Sequence, residues 1–478
     1  MKNPKAYVWS FIGKFGGQFL SLLTTLILAR LLTPADFGTI GVLSVVFVVA
    51  NTLTDSGLGG ALMMEKELNR ENCGTIFVFN LVISISLCVI IFFAAPYIEH
   101  FYNVSGLAKI TRALCLVFLF NAFGMVPKSI LTYQLKFKEL SLIGLLSTLI
   151  ASVMAIGLAY CGIGVWALVA MQLFSTLIST VSAYSISHYR FSICFSRQCF
   201  NRMFSFGVFT TVANVIDSVY ENVATVIFGK FLTVADAGYL TQAKKIEETS
   251  SQSLMMTVNI TSYPILSKLK DDKDSFAKEA DSLLTVIPLM MAPILIIVGV
   301  YSREVALLLL GEKWLDSASY LGILVFAGYF MMNESISRNF LKSLGEVRVL
   351  FISTIIKRVI GCALLLLIAF VSVDLILIGY VVGAFSGYLV TSYAYAKLIR
   401  QNYWEMQYRM VLKTTPLLCL LCIIKADYLL IDCLPVNIAV SVIVFAVYYL
   451  FVLPKMGIPV KNIINRIREK YANHSKTP

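Results

Sequence analysis

The stretch RLLTPADFG at residues 30–38 returns 200 positions later as KFLTVADAG at residues 230–238. Each copy joins two long apolar runs, 7–31 to 37–62 in the first case and 203–231 to 236–264 in the second. A weaker correspondence, at an offset near 210, sets AYCGIGVWALV (159–169) against AFVSVDLILIG (369–379). The first six apolar segments therefore predict a six-helix lobe over 1–190, and the next six a matching lobe over 200–400. Both copies start on the same side, so the lobes are related by an axis along the membrane normal, the parallel kind of transporter repeat. Two more segments within 409–454 form an appended helix pair, thirteen and fourteen. The tail, 455–478, carries Val460, Ile463, Ile464 and Ile467 at helical spacing among basic residues, the pattern of an interfacial helix on anionic lipid.

Composition agrees. The 478 residues are 58% apolar and only 14% charged, with a mean hydropathy of +0.81, well outside soluble-domain norms. A hydrocarbon core about 30 Å thick takes roughly 20 helical residues, which leaves room for about fourteen spans. Apolar runs this long exclude barrel strands, so the expectation is an all-α, polytopic membrane protein.

Charge sets the orientation. Even-to-odd connections are basic, with Lys66 and Arg70; Lys128, Lys136 and Lys138; Arg190, Arg197 and Arg202; Lys268, Lys270, Lys273 and Lys278; Arg338, Lys342 and Arg348; Lys397, Arg400 and Arg409. Both termini are basic too, which places them in the cytoplasm. Alternation holds only if the polar eighth segment, 236–264, is counted as a span despite Lys244, Lys245, Glu247 and Glu248. The net charge of +12 is accounted for this way and calls for no nucleic acid. No phosphate loop, zinc-protease motif or nucleophile elbow occurs, and three histidines stand without carboxylates at ligand spacing. The expectation is a protein that is not an enzyme and needs neither metal nor cofactor. The ten cysteines are scattered, and several lie inside spans as small packing residues.

ILARLLTPADFGTIG (27–41) followed by DSGLGGALMMEKE (55–67) resembles the start of the polysaccharide-export branch of the multidrug/oligosaccharidyl-lipid/polysaccharide transporters. ADAGYLTQAKKIEE (235–248), SYPILSKLKDDKDSF (262–276), LLLLGEKWLDSASYLGIL (307–324) and ISRNFLKSLGEVRVLFISTIIKRVIG (336–361) look like Wzx-type flippases of the colanic- and teichuronic-acid exporter group. The resemblance covers about 1–400. It implies a protein that flips an undecaprenyl-pyrophosphate-linked oligosaccharide across the inner membrane, two lobes alternating around a central cavity. It further implies ion coupling, to H+ or Na+, and a place beside the glycosyltransferases and polymerase of one pathway. A drug or cation exporter of the same fold is the alternative. A membrane polymerase or ligase, the other class, would need a sizeable outer loop, and the outer loops here are short.

Charges at bilayer depth are costly unless they face such a cavity. Asn214, Asp217 and Glu221 follow i, i+3, i+7 on the seventh span, and Glu334 lies on the tenth. One reading makes them a cation or proton site. The other pairs Asp217 or Glu221 with Lys244, Lys245 or Arg358. Given the resemblance, Arg358 and Lys357 on the eleventh span, Lys244 and Lys245 on the eighth, and Lys14 on the first are candidates for the substrate's pyrophosphate. Lys244–Glu248 and Lys245–Glu248 are plausible intrahelical pairs instead. Lys14 either snorkels to the interface or pairs with Asp55. Arg30 and Lys230 flank the ends of the first and seventh spans, where they anchor or cap the turn, and Asp36 and Asp236 read as helix caps. Lys357 and Arg358 stand where the first lobe has Ser147 and Thr148, so the second lobe is expected to carry the charge.

Overall fold

The computed structural model of the chain describes residues 4–55, 69–189, 194–270, 272–371, 375–399, 402–408 and 434–447. In chain order the first half comprises α1 (Pro4–Leu31), α2 (Pro34–Asp55), α3 (Arg70–Tyr102), α4 (Leu107–Leu114), α5 (Leu116–Tyr133), α6 (Phe137–Tyr160) and α7 (Trp166–Ser187). The second half comprises α8 (Arg197–Phe231), α9 (Val234–Lys268), α10 (Lys273–Val300), α11 (Ser302–Leu309), a 3-10 turn at Glu312–Trp314, α12 (Ser317–Ser343), α13 (Val347–Val371) and α14 (Ile376–Ile399). A further helix, α15 (Leu434–Val447), follows. Twelve of the described helices have 18 residues or more, six before residue 190 and six after it. The expected thirteenth span, 411–431, and the tail, 455–478, lie outside the described residues.

The repeat reappears in packing. α1 packs on α6, α6 on α7, α5 on α7 and α3 on α5; correspondingly α8 packs on α13, α13 on α14, α12 on α14 and α10 on α12. The halves meet chiefly through α2, which lies along α9 and α8. A short helix follows the third long helix of each half, α4 in one and α11 in the other. The turn after α5 bonds Gln134 N–H to Ile130 O, Leu135 to Thr132 and Lys136 to Leu131. The turn after α12 repeats this 210 positions on, Leu344 to Phe340, Gly345 to Lys342 and Glu346 to Leu341. Both are Schellman-type ends that require a left-handed residue. Gly345 supplies one at φ 79°, and Leu135 is forced to φ 56°.

The two copies of the opening motif build matched helical hairpins. Thr233 is the N-cap of α9: its hydroxyl accepts from Asp236 N–H at 3.1 Å, and the Asp236 carboxylate accepts from Thr233 N–H at 3.0 Å. Thr33 and Asp36 do the same at 3.3 and 2.9 Å, with Pro34 suited to the first helical position. The caps are therefore Thr33 and Thr233; Asp36 and Asp236, read above as caps, are their partners three residues into each helix.

The hairpin tips abut. Gly38 and Gly238 face one another so closely that a Cβ on Gly38 would strike the carbonyl of Val234, and one on Gly238 the carbonyl of Pro34. Two clasps cross the seam reciprocally. Arg30 of α1 donates to Leu308 O of α11 at 2.7 Å, and Lys230 of α8 donates to Phe101 O of α3 at 2.5 Å with its ammonium over the Phe101 ring. Trp314, fully buried, donates from its indole to Ala29 O at 2.8 Å and packs edge-on against Phe37 and Tyr239. The hairpin end of the molecule is closed.

Candidate functional site

Eight described helices or joined helices are long and apolar enough to cross a membrane, and α8, α9, α12 and α13 are not among them. These four bring the charged side chains together. Below the closed hairpins lies a cavity of about 670 Å³. Five basic side chains line it, Lys14, Arg338, Lys342, Lys357 and Arg358, with three acidic ones, Glu221, Glu247 and Glu334. Apart from Lys14, every charged lining residue lies in the second half. Exposed Lys14 and Lys342 stand at its open rim.

The inner wall is a chain of ion pairs. Glu334 of α12 accepts from Arg338 through both carboxylate oxygens, at 3.1 and 2.5 Å. It also accepts from Lys357 of α13 at 2.8 Å and from the Thr391 hydroxyl of α14 at 3.4 Å. The Lys357–Glu334 pair is almost wholly buried. Arg358 donates Nε to Asp217 of α8 at 2.6 Å and a terminal nitrogen to Glu221 at 3.5 Å, and its guanidinium lies 4.4 Å from the Tyr220 ring centre. Arg338 reaches Asp217 at 3.8 Å, joining the two groups. Burial on this scale tolerates charge only when each ion is matched, which the network achieves. Glycines make the space: any side chain on Gly361 or Gly383 would overlap Tyr220, and one on Gly328 would overlap Glu247.

Of the candidate residues, Asp217, Glu221, Glu334, Lys357 and Arg358 thus fall into one network. Among the pairings left open for Asp217 and Glu221, Arg358 is the one formed. Lys244 donates to the backbone carbonyl of Glu221, with its ammonium 5.3 Å from the Tyr380 ring centre. Neither Lys244–Glu248 nor Lys245–Glu248 forms an ion pair within 4 Å, so the proposed intrahelical pairs are not made. Neither Lys244 nor the half-buried Lys245 is among the residues that line the cavity. The side chains of Asn214 and Asp55 lie outside the described residues. Arg338 and Lys342, assigned above to a basic connection, are helical residues in the last turns of α12. Arg338 was legible as an i+4 partner of Glu334, a signal that the loop assignment hid. Glu247 was named only as one of the charges of the polar eighth segment and not as a site residue; Tyr220 and Tyr380 were not singled out, because nothing in their spacing distinguishes them from packing residues.

Two six-helix halves clasped at one end, around a charged cavity held within the helical bundle, give this chain the fold of known membrane transporters. The fold agrees with that of a lipid II flippase in an inward closed conformation, with a TM-score of 0.75 over 94% of this chain and 99% of that one at 14% identity. It agrees also with that of an inward-facing multidrug resistance transporter of the MOP superfamily, with a TM-score of 0.64 over 84% of this chain and 96% of that one at 15% identity.

Residues 27–319 match the family described as polysaccharide biosynthesis protein, and the chain belongs to that family. Its relatives include the succinoglycan biosynthesis transport protein ExoT of Rhizobium meliloti (strain 1021), 25% identical over 73% of this chain and 71% of that one. The lipopolysaccharide biosynthesis protein WzxC of Escherichia coli (strain K12) is 23% identical over 67% of this chain and 65% of its own. The teichuronic acid biosynthesis protein TuaB of Bacillus subtilis (strain 168) is 21% identical over 67% of each.

Proposed function

We propose that this transporter flips a lipid-linked oligosaccharide, the repeat unit of a surface polysaccharide carried on undecaprenyl pyrophosphate, from the cytoplasmic to the periplasmic leaflet of a bacterial inner membrane. The observation that carries this reading is the cation-rich cavity closed at the hairpin end. Its volume falls in the range that holds a compact ligand, here the diphosphate and the nearest sugars, while a long prenyl chain stays in lipid. Arg338 and Arg358 offer forked donors suited to phosphate oxygens, and Lys14 and Lys342 add point charges at the rim. Entering phosphates compete with Asp217, Glu221 and Glu334 for these cations, so the carboxylates keep the cavity neutral enough to persist when empty.

In this reading both termini are cytoplasmic, the cavity faces the cytoplasm, and rocking of the lobes exposes it to the other side. Coupling to H+ or Na+ drives the cycle, with Asp217, Glu221 and Glu334 as neighbouring carboxylates. Glycosyltransferases supply the substrate and a polymerase consumes it. The test is deletion and complementation in the native host. Wild-type protein is expected to restore surface polysaccharide and clear lipid-linked oligosaccharide from the inner leaflet; Arg358→Ala and Arg338→Ala are expected to do neither at normal protein levels. Undiminished polysaccharide in both variants would overturn the proposal.

A further inference from the structure

Glu247 differs from every other acidic residue in the cavity. It is 6% exposed, and among the described residues no cation lies within 4 Å of its carboxylate. Its Oε1 accepts from the Ser251 hydroxyl at 2.8 Å, one turn along α9. The carboxyl is pressed on Gly328 of α12, where a Cβ would stand 2.7 Å from the carboxyl carbon. Glu334, equally buried, has two cations; Asp217 has two arginines; Glu221 is more than half exposed.

The groups around Glu247 do not supply the missing charge. On its own helix, Lys244 is turned to the Glu221 carbonyl and the Tyr380 ring, and Glu248 is a second acid. α12 offers Glu334 and Arg338, already joined to each other, α8 offers Glu221, α14 offers Tyr380, and α1 offers Lys14 at the rim. Between Asp36 and Asp55, α2 carries no charged residue, and the charges of α10, Lys273 to Asp281, lie beside the last turns of α9. A carboxylate withdrawn from water with one hydroxyl donor is unfavourable as an anion and acceptable as a neutral acid. A metal cation would need a set of oxygen ligands, and the described side chains put only Ser251 at hand.

We propose that Glu247 is a proton-binding site: it holds a proton as the neutral acid while the hairpin end is closed, and releases it when the α9–α12 contact at Gly328 opens to water. This rests on the ion-coupled reading above and names the ion as H+ and the group that carries it.

Full-length protein in lipid vesicles, compared with Glu247→Gln by infrared difference spectroscopy at neutral pH, tests it. The carbonyl stretch of a neutral carboxylic acid is expected in wild type, lost in Glu247→Gln, lost from wild type as pH rises, and unchanged when NaCl replaces KCl. No such band, or one that sodium removes, overturns the proposal. A second arm follows flipping of lipid-linked oligosaccharide extracted from the native host, with and without an imposed pH gradient. Wild type is expected to respond to the gradient and Glu247→Gln to lose that response. Flipping indifferent to the gradient overturns the proton site and leaves the flippase intact; no flipping at all overturns the flippase reading, while the infrared arm still decides whether Glu247 holds a proton.

Discussion

Glu334 accepts from Arg338, Lys357 and Thr391 together, so replacing it strands donors on three helices. Breaking a buried pair costs about 3–5 kcal/mol because the remaining charge is unmatched. Glu334→Gln is therefore expected to lower the unfolding temperature of the purified protein sharply, and adding Lys357→Met to recover part of the loss; strict additivity of the two would refute the pairing. Arg358→Lys is expected to keep the fold and depress transport, since a lysine cannot both fork to Asp217 and Glu221 and lie over Tyr220. At this scale the sequence reveals which charges are buried better than how they pair. Spacing along one helix found Asp217 and Glu221, but Arg358 lies some 140 positions away, and helical phase carries no information across that distance.

Among the elements, the turns are where the two halves can be compared chemically. Leu135 holds the left-handed conformation that Gly345 holds in the second half, at a cost of about 1 kcal/mol. Leu135→Gly is expected to stabilise the protein by up to that amount and Gly345→Leu to destabilise it by a similar amount, both read by thermal unfolding in detergent. Thr233→Ala removes one side of a capping box and is expected to cost about 1 kcal/mol in the same assay. The hairpins were legible because T-x-x-D at a helix start has a local mechanism. Helix α9 was not legible from hydropathy: residues 247–253 are polar without a break, so polarity runs round the whole circumference and leaves no continuous apolar face there. The charge alternation of the connections, which reports on the ends of a helix and not its faces, was the signal that counted this segment, and the structure has a helix there, Val234–Lys268.

For the whole molecule, closure depends on contacts made twice, once by each half. Removing both Arg30 and Lys230 side chains as alanines is expected to loosen the hairpin end and broaden spin-label distances measured across it, whereas either change alone has a smaller effect. The two-lobe plan was readable from the repeated nonapeptide, because both copies perform one mechanical task. The reciprocity of the clasps was not, since their acceptors are backbone carbonyls, which leave no trace in side-chain identity.

The abutting glycines at Gly38 and Gly238 have an electrical consequence. With the cavity hydrated from one side and the other side sealed backbone to backbone, the membrane voltage falls mainly across that thin seal and not over the full hydrocarbon thickness. The charges lining the cavity then sit at nearly the potential of the open side, and in the cycle proposed above they move to that of the other side. Each net elementary charge so transferred biases the switch by about 2.3 kcal/mol per 100 mV. The cavity lining is net basic when empty, and the diphosphate of the proposed substrate would offset or reverse that charge, so in the proposed cycle voltage acts differently on the loaded and returning molecule.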